Sequence, residues 1–177
     1  NNIKNQNIIN EQIDIPLATL ESPLWPSVAR GAAVSRKVKN GIKISVLSNT
    51  MTRSVAFRAN SSQDLHNLIA QLPNYMAKMQ NCVSKTSRFA VLQDYYPEII
   101  GNQLFIRFAF ETGDASGHNM ATKAAEALMN WFLEEFKNYN LSYVSISGNL
   151  CTDKKVSAIN SILGRGVHVT AEMHIPG

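Results

Sequence analysis

The chain has 177 residues, 45% of them hydrophobic, which is enough to bury one core and too short for three domains. A formal charge of +4 on a chain only 17% charged, with no block of like charges, gives no basic tail for nucleic acid or a membrane surface and suits an anionic small molecule equally well. Cys82 and Cys151 form no CxxC pair and no His-bearing cluster, so neither a zinc site nor a disulfide framework is indicated; a reducing, cytoplasmic setting is expected, with no membrane segment in this chain.

The first twelve residues, NNIKNQNIINEQ, have no apolar core of a signal peptide and read as a flexible tail. From Leu24 to Val38 small and apolar residues recur at helical intervals, with Pro23 and Pro26 expected to delay the helix start and Gly41 to close it. Ile42, Ile44 and Val46 alternate as a strand, SNTMT reads as a turn, and Val55 and Phe57 continue in extended structure. Ser61 or Ser62 caps a helix carrying Leu65, Leu68, Ile69 and Leu72, which Pro73 kinks or ends.

Phe89 and Val91 open a strand, YYPEIIGNQ supplies a turn, and Leu104, Ile106, Phe108 and Phe110 alternate in the next strand. A long helix follows from about His118 to Phe136, with Met120, Ala124, Ala127, Leu128, Trp131 and Phe132 on one stripe, and Tyr143 to Ile146 returns as a strand. The order is strand, helix, strand, strand, helix, strand. It predicts an α+β fold with a ferredoxin-like βαββαβ subdomain over 53–147, inserted in part of a larger α/β domain that 13–52 and 148–177 belong to.

That arrangement also serves single-strand RNA-binding modules, with Phe108 and Phe110 as stacking aromatics, but LFIRFAFE lacks the glycine and aromatic order such modules use. The more informative segment is ETGDASGHNMATKA, 111–124, where a strand enters the long helix through Gly113, Asp114, Ser116 and Gly117. Glycines admit close backbone approach, and a helix start offers unpaired N–H groups to an anion such as pyrophosphate. The segment is not a GxGxxG fingerprint, and ordinary turn and cap residues would look the same.

GDASGHNMATKA is similar to the GDAMGMNM motif of class I 3-hydroxy-3-methylglutaryl-CoA reductases. SGNLCTDKKVSAINSILGRG, 147–166, resembles that family's substrate loop and following helix, and MTR at 51–53, TSRF at 86–89 and IPLATLESPLWPSVARG at 15–31 match in order. The resemblance implies an oxidoreductase of the mevalonate pathway, which feeds isoprenoid synthesis. It reduces 3-hydroxy-3-methylglutaryl-CoA to mevalonate and CoA with two NADPH, and its active sites form between subunits of a homodimer or larger assembly.

The same resemblance implies the roles. Lys154 is the cation that polarises the thioester carbonyl, and Glu21 is the proton donor. Arg53, Ser147, Asp153 and Lys155 hold the acyl portion or orient the lysine, and Ser27 and Arg30 approach the CoA nucleotide. Asp114, Ala115, Gly117, Asn119 and Met120 hold the dinucleotide, with Ser87 and Arg88 toward the phosphate that distinguishes NADPH from NADH. Cys151 and His66, His168 and His174 are expected to be ordinary packing or surface residues. The family's catalytic aspartate and late histidine fall beyond Gly177, so the expectation is that this chain alone lacks full activity and that a longer parent is the reductase. A relative kept for regulation or assembly without catalysis is the remaining alternative.

Overall fold

The structure is a computed structural model that describes residues 14, 17, 20–153 and 155–176. The chain divides into two compact units, one of Ser48–His168 and one of 1–47 with 169–177.

In the smaller unit, α1 spans Leu24–Lys37. The helix starts earlier than the prolines suggested. Pro23 serves as its N-cap and Pro26 falls in the first turn, where a missing N–H costs nothing because those donors have no intrahelical acceptor. Gly41 takes φ 61° in the turn that follows.

The larger unit is built on a sheet in the order β2-β3-β1-β4, with β5 also pairing β1. Strand β1 runs unbroken over Lys43–Arg58. SNTMT is therefore strand and not turn: Met51 and Thr52 lie opposite Phe110 and Ala109, and the β-branched threonines suit the pleat. After β1, Ser61 caps α2 (Ser62–Gln71), its hydroxyl accepting from the Asp64 N–H at 3.2 Å. Pro73 lies in a single 3-10 turn, Leu72–Tyr75, which leads directly into α3 (Met76–Ser84), a helix the periodicity had not separated from α2.

Strands β2 (Val91–Ile100) and β3 (Gln103–Glu111) form an antiparallel hairpin. Its turn is Gly101-Asn102 alone, and YYPEIIGNQ is mostly strand. Pro97 is tolerated because β2 is the edge strand, where a missing donor breaks no second ladder. Helix α4 (His118–Glu135) then crosses to β4 (Ser142–Ile146), which pairs antiparallel to β1. The short helix α5 (Ala158–Leu163) precedes β5 (Gly166–Glu172), a strand not foreseen.

The two sheet faces are packed differently. Val55 and Phe57 of β1 with Leu104, Ile106, Phe108 and Phe110 of β3 are fully buried with Leu65, Leu68, Leu72, Met79, Leu128 and Phe132 of the helical layer. Phe132 is the hub of an aromatic group, stacked 5.5 Å from Phe57 and edge-on 6.0 Å from Phe108. The complete burial of Phe108 and Phe110 removes the stacking surface an RNA-binding module would need on β3.

Strand alternation turns Phe105 and Arg107 to the opposite face. There the segment after β4 lies on the sheet. A side chain at Gly148 (φ 49°) would meet the Phe105 ring at 3.0 Å and the Ala56 methyl at 3.3 Å, so glycine is required both for the backbone and for the fit.

Candidate active site

Two constellations of the larger unit hold most of the residues singled out above. The first is the start of α4. Gly117 is its N-cap at φ 78°, with no side-chain cap and no acidic residue in the first turn, so its leading N–H groups are left for a ligand or solvent. An alanine Cβ at Gly117 would stand 2.5 Å from the Thr112 hydroxyl, and that hydroxyl itself donates to the Ala115 carbonyl at 2.8 Å, which fixes the curl of the loop. Asp114, Ala115 and Asn119 are exposed, Met120 is half-buried, and residues 115–120 line an open hollow.

Ser87 and Arg88 lie just before β2, whose Val91 is opposite Glu111 at the end of β3. The Phe89 ring reaches 4.0 Å from where a Gly113 Cβ would be, and the Arg88 guanidinium sits over that ring at 4.6 Å. The segment TSRF and the loop ETGDASG, distant in sequence, are thus neighbours.

The second constellation is the segment from Ser147 to Arg165. Ser147, Asn149 and Thr152 all take positive φ, at 88°, 60° and 36°, an accumulation of left-handed non-glycine residues that persists only where surrounding bonds hold it. Those bonds are polar. The Ser147 N–H donates to Ser54 O on β1 at 2.8 Å, and the hydroxyls of Thr152 and Ser157 pair with each other.

Asp153 is gripped from both sides: Arg53 Nη2 donates to Oδ2 at 3.2 Å and Arg165 Nη2 to Oδ1 at 2.8 Å. Arg165 also donates to Thr52 O at 3.4 Å, while Arg107 donates to Gly164 O at 2.6 Å and to Asn160 Oδ1 at 3.2 Å. The Nε atoms of all three arginines are buried without a hydrogen-bond acceptor. Burial depresses the Arg107 pKa, Cys151 counters that, and Arg165 adds to the depression.

Cys151 is fully buried beneath this cluster, its Sγ 3.3 Å from the Ser147 hydroxyl. Burial pushes the thiol up, but the Ser147 hydroxyl, the Ser54 backbone and the Arg53 and Arg165 guanidiniums together outweigh it and hold the pKa below its ordinary value.

Arg53, Ser147 and Asp153 are therefore brought to one locality, with exposed Lys155 close behind Asp153 in the chain. Lys154 lies outside the described residues. Glu21, Ser27 and Arg30 belong to the smaller unit and are exposed there, Glu21 O accepting from the Leu24 N–H at 3.0 Å as α1 begins. Arg107 and Arg165 had not been singled out. The clue was available for Arg107: a charge inside the strictly alternating LFIRFAF is flanked by apolar residues on both faces and needs buried partners.

Fold and site together define a mixed α/β protein with an antiparallel sheet, an open helix start and a guanidinium-clamped carboxylate. The chain belongs to the hydroxymethylglutaryl-coenzyme A reductase family, an oxidoreductase family whose model matches residues 3–177. It is 41% identical over 165 residues to the 3-hydroxy-3-methylglutaryl-coenzyme A reductase of Pyrococcus abyssi, covering 92% of this chain and 39% of that protein. To the enzyme of the same name from Strongylocentrotus purpuratus it is 36% identical over 168 residues, 94% of this chain and 18% of that one. The chain thus spans well under half the length of these curated relatives.

The fold is similar to that of the class II 3-hydroxy-3-methylglutaryl-CoA reductase from Streptococcus pneumoniae solved with NADPH, with a TM-score of 0.58 and 17% identity over 72% of this chain and 35% of that one. No helix among the described residues is long and apolar enough to cross a membrane.

Proposed function

We propose that this chain is the cofactor-binding part of a reductase that converts 3-hydroxy-3-methylglutaryl-CoA to mevalonate and CoA with two NADPH. The observation that carries the reading is the meeting of the uncapped α4 start at Gly117 with the Arg88–Phe89 segment beside Gly113. An anionic dinucleotide fits there: the helix start takes the pyrophosphate, and Arg88 supplies the charge a ribose phosphate requires.

In this reading 53–147 is a ferredoxin-like NADP-binding subdomain, which the antiparallel order β2-β3-β1-β4 supports, and 13–52 with 148–177 belong to the larger substrate-binding domain. The bound cofactor supplies hydride. Asp114, Ala115, Gly117, Asn119 and Met120 seat it, and Ser87 and Arg88 select its phosphate end. Arg53, Ser147, Asp153 and Lys155 orient the acyl group, and Lys154 stabilises the negative charge that grows on the carbonyl oxygen. Glu21 returns a proton to the reduced product, and Ser27 and Arg30 meet the CoA nucleotide. The working form is a homodimer or larger assembly in the reducing cytoplasm.

The test of the cofactor half is a fluorescence titration of NADPH and NADH. Arg88→Ala should weaken NADPH by about tenfold, the worth of one charge-assisted hydrogen bond, and leave NADH unchanged. Equal NADPH affinities for both proteins would reject the role of Arg88. For the whole reading, the intact protein should oxidise NADPH when 3-hydroxy-3-methylglutaryl-CoA is added, and a lack of oxidation overturns it.

A further inference from the structure

We propose that Arg165 is a positioning residue of the reductase: it acts through Asp153 to fix the segment that leads, in the chain, into Lys154 and Lys155. The inference rests on the reductase reading above and adds to it a residue that has no contact role in that reading.

The geometry is a chain of bonds running from the sheet to the turn. Arg107, in the middle of β3 and 4% exposed, donates to Gly164 O at 2.6 Å and so anchors the residue immediately before Arg165. Arg165, its side chain 6% exposed, then donates from one Nη2 to Thr52 O of β1 and to Asp153 Oδ1. Asp153 receives its second guanidinium from Arg53, the neighbour of Thr52 on the same strand. The carboxylate is therefore held at both oxygens from two directions, and a group held that way cannot rotate without breaking a charge-assisted bond.

Such a clamp matters because the segment it holds is strained. Thr152, the residue before Asp153, sits at φ 36°, and Ser147 and Asn149 are left-handed as well. A loop of this kind does not keep its shape by local preference. The apolar core offers little help, since Lys155 and Val156 are exposed and Cys151 is the one fully buried apolar side chain among residues 147–153. The two arginines, together with the Ser147 N–H on Ser54 O, tie the segment to the sheet. A lysine next to a loosened Asp153 would be displaced, and about an ångström of misplacement at a reacting group costs up to about a hundredfold in rate.

Arg53 faces the same carboxylate but is assigned to the acyl group as well, so its removal would mix two effects. Arg165 isolates the positioning effect. It is also not interchangeable with lysine, whose compact ammonium at the end of a shorter side chain does not reach the position from which Arg165 Nη2 serves both Thr52 O and Asp153 Oδ1.

The experiment compares Arg165→Ala and Arg165→Lys with wild type in the intact protein, measuring kcat, KM for 3-hydroxy-3-methylglutaryl-CoA, NADPH affinity and the unfolding midpoint. Arg165→Ala should lower kcat by about tenfold to a hundredfold. NADPH affinity should stay within about twofold, because the α4 start is a separate constellation, and Arg165→Lys should fall between the two. Millimolar guanidinium ion, well below denaturing levels, should restore part of the lost kcat in Arg165→Ala and none in wild type, a recovery that loss of folding would not show.

Wild-type kcat in Arg165→Ala overturns the proposal. So does a variant that loses kcat, NADPH binding and folding midpoint together with no recovery by guanidinium. If wild type itself turns over no substrate, the reductase reading fails and the clamp's catalytic role fails with it. Wild-type turnover beside an unaffected variant rejects the clamp alone.

Discussion

The two faces of the sheet are stabilised by different physics. The helix-covered face is apolar throughout: Phe57, Ile106, Phe108 and Phe132 exclude water and touch one another, and their burial needs no precise angle to be favourable. Against the opposite face lie a left-handed loop, Arg107, Arg165 and one carboxylate that Arg53 also reaches from β1, and these bonds contribute only when donors and acceptors align. Cores tolerate many substitutions of similar size, whereas a polar lattice holds one arrangement. Every residue assigned to the acyl group in this unit lies on the second kind of structure.

The sharpest way to break that comparison is to attack the apolar face first. Phe132→Ala removes the ring that joins Phe57, Phe108, Trp131 and Phe136, and should cost about 3–5 kcal/mol of folding free energy, measured by chemical denaturation. A loss under about 1 kcal/mol would mean that the helical layer is not what holds the unit together. On the opposite face, Gly148→Ala adds one methyl group against Phe105 and Ala56 at a positive φ. Its expected cost is smaller, about 1–3 kcal/mol, and it should leave the helical circular dichroism intact because the neighbours it meets, Phe105 and Ala56, are strand residues. Equal costs for the two variants would erase the distinction between the faces.

The same contrast explains what was legible in the sequence. Apolar periodicity is a record of burial, so α2, α4, β3 and β4 could be read from it, and Ser61 declared itself as a cap. Where the periodicity weakens, the reading fails. SNTMT has turn-like composition but is strand, its Met51 and Thr52 paired with β3, and a partner strand is not visible locally. YYPEIIGNQ holds a proline that only an edge strand would accept, and edge position is a property of the whole sheet.

The candidate site was legible by a different route. GDASGHNM and TDKK were recognisable as motifs, but nothing in their spacing announced that Arg165 and Arg53 would meet on Asp153. That meeting depends on β1 and the 147–165 segment being brought together by the rest of the sheet. Hydrogen-bond partners far apart in sequence leave no period to read.

Cys151 gives the smallest and most specific test of the polar face. Its thiol is fully buried, yet the Ser147 hydroxyl, the Ser54 backbone and the two guanidiniums lower its pKa below the ordinary 9.0. The native state therefore sheds this proton at lower pH than the unfolded chain does. Between the lowered native value and the unfolded one, the unfolded state holds more protons, so stability rises with pH; the gain is complete above the unfolded value and is lost as pH falls through the native one. Cys151→Ala abolishes that term. Its stability relative to wild type, followed by urea unfolding from pH 7 to about pH 9.5, should deteriorate progressively as pH rises, by less than about 1.4 kcal/mol for each unit the thiol is shifted. A gap that is flat across that range would mean that the Ser147 and Ser54 hydrogen bonds and the two guanidiniums do not together outweigh the burial of Cys151.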